Sequence, residues 1–239
     1  MNIKCEYCYK DAREPPKATP RGVSKLRLVL FDMDGVLTES ISSWRFIHEY
    51  FGVTNDESVE LYIQGEIDDK EFIKRDVSLW REEDGELITL NKLEDILSMI
   101  PLRRGGEELI EELHNHGVET AIVSAGLDIL ARRVADKFNI DYIYANGIET
   151  LNRRLTTEGI VVVQLMYKDK TVDKISRELD INLDEMIAVG DSCFDIPMIK
   201  RCGLGVAFNP LDKCVEEEAD ITVKSKSLEK LTPILTRYI

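Results

Sequence analysis

From residue 26 onward, short apolar runs alternate with stretches of helical period, and that rhythm constrains the fold more than any other feature of the chain. The runs fall at 28–31, 118–123, 142–144, 186–189, 205–207 and 221–223. Between them, 105–116 places Leu109, Ile110 and Leu113 on one helical face, and 128–138 does the same with Ile129, Leu130, Val134 and Phe138. Stretches 171–179 and 227–235 continue the series. Strand, helix, strand in this order predicts an α/β fold, a doubly wound parallel sheet with helices on both faces.

Two segments depart from the rhythm. Between Thr38 and Pro101 no strand is predicted; 43–50, 56–64, 70–81 and 92–99 read as successive helices, a small inserted helical cap. A shorter excursion, 148–164, with Val161-Val162-Val163 after Gly159, reads as a hairpin. The division that follows is a leader over 1–24, a catalytic core from 25–38 plus 102–239, and the cap at 39–101. Pro15, Pro16 and Pro20, mixed with Lys10, Arg13, Lys17 and Arg21, make the leader an extended arm. Within it Cys5-x-x-Cys8 is half of a zinc site at most, because no second pair has matching spacing.

Composition narrows the function. A net charge of −14 argues against nucleic acid or an anionic membrane surface as a partner, since both reward a basic patch. No run of about 18 apolar residues suggests a membrane span, and the first residues lack the apolar centre of a secretion signal. Five scattered cysteines do not form a disulfide framework. The expectation is a cytoplasmic protein with reduced thiols.

In an open parallel sheet, ligands gather beyond the carboxyl ends of the strands, so the residues after each apolar run matter most. After the first run come Asp32 and Asp34, two residues apart in a Gly-containing loop, one placed to attack and one to handle a proton. After the second come Ser124, Ala125 and Gly126, a hydroxyl and a turn opening a helix, whose backbone N–H groups suit an anion. After the run at 186–189 come Asp191 and Asp195, and Lys168 precedes the helix leading into that strand. Two acidic pairs, a hydroxyl and an ammonium fit one divalent metal and one phosphate.

These segments, in this order, resemble the haloacid dehalogenase-like hydrolase superfamily, its phosphoserine phosphatase branch in particular. Asp32-Met-Asp-Gly-Val-Leu-Thr, Val123-Ser124-Ala-Gly, Lys168 and Gly190-Asp191-x-x-x-Asp195 carry the resemblance, and 23 residues separate Lys168 from Asp191, as in the family. The resemblance implies a Rossmann-like core and a Mg2+-dependent phosphomonoester hydrolase acting on a small phosphorylated metabolite. Asp32 would form an aspartyl-phosphate, and Asp34 would act as general acid and then base. Asp32, Asp34 (through its backbone carbonyl) and Asp191 would hold the metal, with Asp195 supporting its water shell and orienting Lys168. Ser124, the Ala125 N–H and Lys168 would meet the phosphate, with Lys170 the fallback for Lys168.

The chain departs from the phosphoserine branch at three positions. Ile41 stands where that branch carries a Glu for the substrate ammonium, Asp76 where it carries an Arg for the carboxylate, and Phe194 where it often carries an Asn. The rival readings are phosphoserine hydrolysis with Glu39 and Arg75 as replacements, phosphotransfer to an alcohol, and a receiver-like module that holds phosphate on an Asp.

Overall fold

In the computed structural model, which describes residues 21–239, strand β1 (Leu28–Phe31) is buried on both sides. Val29 and Phe31 enter one apolar cluster while Leu28 and Leu30 enter another. Alternation of side chains along a strand produces that split, and burial on both faces is the mark of a parallel strand covered by helices. The remaining strands are β2 (Glu119–Leu127), β3 (Tyr142–Leu151), β4 (Arg154–Ile160), β5 (Met186–Gly190), β6 (Leu204–Phe208) and β7 (Ile221–Val223). Their order in the sheet is β4-β3-β2-β1-β5-β6-β7. Neighbours pair in parallel except for β4, which is antiparallel to β3. The chain runs outward from β1 to β4 and then returns to β5 on the other side of β1, so the switch in direction lies at the end of the central strand.

Helices α1 (Ser43–Phe51), α2 (Asp56–Gln64), α3 (Asp69–Ser78) and α4 (Leu90–Ser98) follow β1 as an insert. Helices α5 (Gly106–Asn115) and α6 (Asp128–Phe138) cover one sheet face; α7 (Lys168–Leu179) and α8 (Ile196–Arg201) cover the other. Short helices α9 (Lys213–Glu218) and α10 (Thr232–Leu235) complete the fold. Ile47, Val77, Trp80, Leu93 and Ile96 of the insert belong to the same apolar cluster as Phe31 and Leu130 of the core. The two linkers run side by side: Thr38 bridges Leu102, and the Glu39 N–H meets the Pro101 carbonyl at 3.0 Å.

Three expectations need correction. The hairpin strand is Arg154–Ile160, before the valine triplet, because Asn152 and Arg153 both take positive φ (52° and 59°) and turn the chain in two residues. Val162 and Val163 instead donate their N–H groups to Asn146 Oδ1, each at 2.8 Å. The helix expected at 227–235 is broken into a tight turn over Leu228–Leu231 and α10, since Pro233 has no N–H to continue the ladder. Residues 21–24, the end of the expected arm, are fastened to the core: the Gly22 and Ser24 N–H groups bond the Gly203 and Asp184 carbonyls at 2.9 and 3.0 Å. Cys5 and Cys8, and the zinc reading attached to them, lie outside the described residues.

Candidate active site

The end of β1 delivers two carboxylates into one buried crevice. Asp32 is tied to β5 by its N–H, 2.9 Å from the Val189 carbonyl. The chain then coils into one wide turn over Met33–Leu37, closed by the Thr38 N–H on the Met33 carbonyl at 3.0 Å. Gly35 makes the turn possible with φ +76°, and a Cβ there would lie 1.8 Å from Asp191 Oδ2. Arg103, from the second linker, holds the turn by donating to the carbonyls of Val36 and Gly35 at 2.7 Å and Thr38 at 3.0 Å.

Lys168, the first residue of α7, is buried between two acids, 2.6 Å from Asp195 Oδ1 and 2.9 Å from Asp32 Oδ1. Asp195 is fully engaged, because its Oδ2 accepts the N–H groups of Asp191 (2.9 Å) and Ser192 (3.0 Å) and the Ser192 hydroxyl (3.2 Å). Asp191 Oδ2 and Asp34 Oδ1, by contrast, are buried with no hydrogen-bond partner among the described residues. Four carboxylates therefore face one ammonium. Desolvation and the Asp195 charge push Asp32 up to about 7 despite the pull of Lys168. Desolvation lifts Asp34 to about 6 against the bonds from Ser43, and it raises Asp191 well above the usual range with Asp195 and Asp32 adding to it. For Lys168 burial disfavours the charge, but Asp195 and Asp32 outweigh it and raise its pKa.

Asp34 Oδ2 accepts two bonds from Ser43, one from its N–H at 2.9 Å and one from its hydroxyl at 2.8 Å. The segment after β2 lies alongside, since a Cβ on Gly126 would come within 2.7 Å of that same Asp34 oxygen. Ser124 is buried and its hydroxyl accepts the Gly126 N–H at 3.1 Å. It does not cap a helix: α6 starts later, with Leu127 in the capping position. The Ala125 carbonyl is held by Trp44 Nε1 at 3.0 Å and Asn146 Nδ2 at 3.3 Å.

Oxygens of Asp32, Asp191 and Asp195 lie within 4.8 Å of one another. An excess of buried negative charge, an orphaned Asp191 oxygen and an all-oxygen donor set fit a hard divalent cation. Of these three acids, Asp195 has both oxygens occupied, which leaves Asp32 and Asp191 with capacity for a metal. A cavity of about 490 Å³ opens beside Asp191, with Gly35, Ile41, Arg103, Lys224 and Lys226 among its lining residues.

The structure thus gathers Asp32, Asp34, Lys168, Asp191 and Asp195 and sets the Ser124–Gly126 segment beside Asp34. Lys170 is elsewhere, exposed over the Tyr167 ring. Sequence reasoning missed Ser43 and Arg103, which hold the first loop from two sides. Neither carries a local signal, because each reaches the loop only through tertiary contact. Asp76 is buried in the insert, with Asn55 Nδ2 at 2.7 Å and His48 Nε2 at 3.5 Å. Arg75 lies on the outside of α3, its Nε 3.2 Å from Glu71.

Comparison with known proteins places the chain among relatives. The family profile described as haloacid dehalogenase-like hydrolase matches residues 29–200. A phosphoserine phosphatase of Methanocaldococcus jannaschii is 31% identical over 216 residues, covering 87% of this chain and 96% of that one. One from Archaeoglobus fulgidus is 32% identical over 214 residues, covering 87% of this chain and 60% of the other. A solved structure described as a phospho-aspartyl intermediate analogue of phosphoserine phosphatase superposes with a TM-score of 0.72 at 29% identity, covering 88% of this chain and 99% of its own.

Proposed function

The chain belongs to the haloacid dehalogenase-like hydrolase family, and from that premise we propose that it is a Mg2+-dependent phosphomonoester hydrolase of small phosphorylated metabolites. The observation that carries this reading is the convergence of Asp32, Asp34, Lys168 and Asp191 in one buried crevice at the switch point of the sheet. Asp32 attacks phosphorus and becomes an aspartyl-phosphate while the alcohol oxygen departs with a proton from Asp34. Asp34 then takes a proton from the water that attacks the aspartyl-phosphate, and Asp32 is released. Ser124 and the Ala125 N–H bind phosphate oxygens, and Lys168 balances their charge as the bond breaks. Asp195 positions Lys168 and shapes the Asp191 turn. Asp32, Asp191 and the Asp34 carbonyl would hold magnesium. Once bound, it supplies positive charge against the phosphate oxygens. Residues 39–101 would cover the crevice and exclude bulk water.

Two arrangements bear on the substrate. The similarity to named phosphoserine phosphatases supports phosphoserine itself as a second reading. Against it stand the buried Asp76 and the Arg75 side chain paired with Glu71 on the surface, neither of which offers a cation to a substrate carboxylate. No described helix is long and apolar enough to cross a membrane. The test is a phosphate-release screen over small phosphomonoesters, phosphoserine included, with Mg2+ present. Turnover is expected for the wild-type protein and not for Asp32→Asn; equal release by both would overturn the reading.

A further inference from the structure

The first helix of the insert grips a residue of the core loop directly. Both donors of Ser43 converge on Asp34 Oδ2, at 2.9 and 2.8 Å. Ser43 is fully buried. Its hydroxyl is not used to cap its own helix, because Ser42 does that by accepting the Arg45 N–H at 3.1 Å. The Ser43 hydroxyl instead accepts the Leu127 N–H at 3.4 Å, which links it to the segment after β2. Trp44, the next residue, bonds the Ala125 carbonyl of that segment. The other Asp34 oxygen, Oδ1, is buried without a partner among the described residues.

We propose that Ser43 is the positioning residue for the acid–base group: it pins Asp34 Oδ2, so that Oδ1 is the oxygen that exchanges a proton with the leaving group. This rests on the phosphomonoesterase reading above. In the first step an Asp32 oxygen forms its bond to phosphorus. The bond from phosphorus to the alcohol oxygen breaks with its electron pair kept by that oxygen. The Oδ1 proton passes to it, leaving Asp34 as a carboxylate that Ser43 already faces with two donors and a helix N-terminus. Ser43 belongs to the insert and Asp34 to the core loop. The proton donor is therefore aligned when α1 is docked against residues 124–127, which ties enclosure of the substrate to delivery of the proton.

A residue that merely fastens α1 to the core would affect every substrate alike. A residue that aligns the acid matters most for leaving groups that need the proton. The experiment measures kcat/KM, which reports steps through formation of the aspartyl-phosphate. It compares the fastest alkyl phosphate from the screen with 4-nitrophenyl phosphate, whose leaving phenolate is stable without protonation. For Ser43→Ala the expected loss is about tenfold on the alkyl phosphate and under about twofold on 4-nitrophenyl phosphate. Ser43→Thr, which keeps a hydroxyl, should restore much of the alkyl rate. The ratio between the two substrates does not depend on how much of a variant is folded, so it decides even if Thr packs badly. Equal losses on both substrates, or no loss on either, would overturn the proposal. Failure of the wild-type protein to hydrolyse either compound would sink the phosphomonoesterase reading instead, and this is seen before any variant is compared.

Discussion

Two of the buried polar clusters among the described residues differ in how their charge is balanced. In the core crevice, Asp32, Asp34, Asp191 and Asp195 share one ammonium, and two carboxylate oxygens are left without a partner. In the insert, His48, Asp76, Asn55 and Trp80 close on one another. Trp80 Nε1 donates to His48 Nδ1 at 3.1 Å, so the ring proton sits on Nε2 and faces Asp76, which Asn55 also meets. The crevice carries surplus charge and open lone pairs; the insert cluster sets a single acid beside Asn55 and His48, and His48 Nε2, 3.5 Å from Asp76, has no hydrogen-bond partner among the described residues. Unmet polar capacity costs stability, and binding of a group from outside is one reason a protein keeps it. The crevice holds the larger share of that capacity, two carboxylate oxygens and an excess of acids over cations, and it is the candidate site.

The sharpest way to break this contrast is Asp32→Asn, which should lower phosphate release roughly a thousandfold or more. A variant with near wild-type turnover would remove the crevice from the chemistry. Next, Mg2+ at about a hundred times its Kd should raise the wild-type unfolding free energy by about 2.7 kcal/mol. Asp191→Ala should lose that gain in a urea titration. Asp76→Ala should cost about 1–3 kcal/mol of stability by leaving the Asn55 amide without its acceptor. If it depressed turnover more than stability, the insert cluster would have to be counted as functional.

A smaller effect is read from the pH dependence of the crevice. Asp34 rises from the usual 3.8 to about 6 on folding. The folded state therefore holds more protons than the unfolded chain between those values, and stability falls as pH rises through that window. Without metal, Asp34→Asn should gain on the wild type between pH 4 and 6 by on the order of 1–2 kcal/mol. A pH-independent difference would contradict the assignment. Smallest of all, Arg75→Ala should shift stability by under about 0.5 kcal/mol and leave the KM for phosphoserine unchanged. A large rise in that KM would revive the phosphoserine reading.

Much of the sheet could be read from the chain because its strands are marked by apolar composition, and composition is local. The valine triplet at 161–163 misled for the same reason: β-branched residues suit a strand, but the turn at Asn152-Arg153 sets where pairing begins. Asp32 and Asp34 were legible because a strand end and a glycine stand beside them. Asp191 and Lys168 were legible through the family's spacing. Ser43 was not, since nothing nearby distinguishes it from Ser42, and α1 has to dock before its donors meet Asp34. Arg103 was equally silent, because its partners are backbone carbonyls of a loop far away in sequence.

The hairpin that closes the edge of the sheet also reaches across to the insert. Leu90 N–H bonds the Arg153 carbonyl at 2.8 Å, Leu155 N–H bonds the Ile88 carbonyl at 3.0 Å, and Thr89 bridges Arg154. The insert is thus fastened at its far side as well as at its linkers. Any swing about residues 38–42 and 100–104 must either carry β3 and β4 with it or tear main-chain bonds on the opposite shore, so the mobile body is larger than the stretch of sequence that interrupts the core.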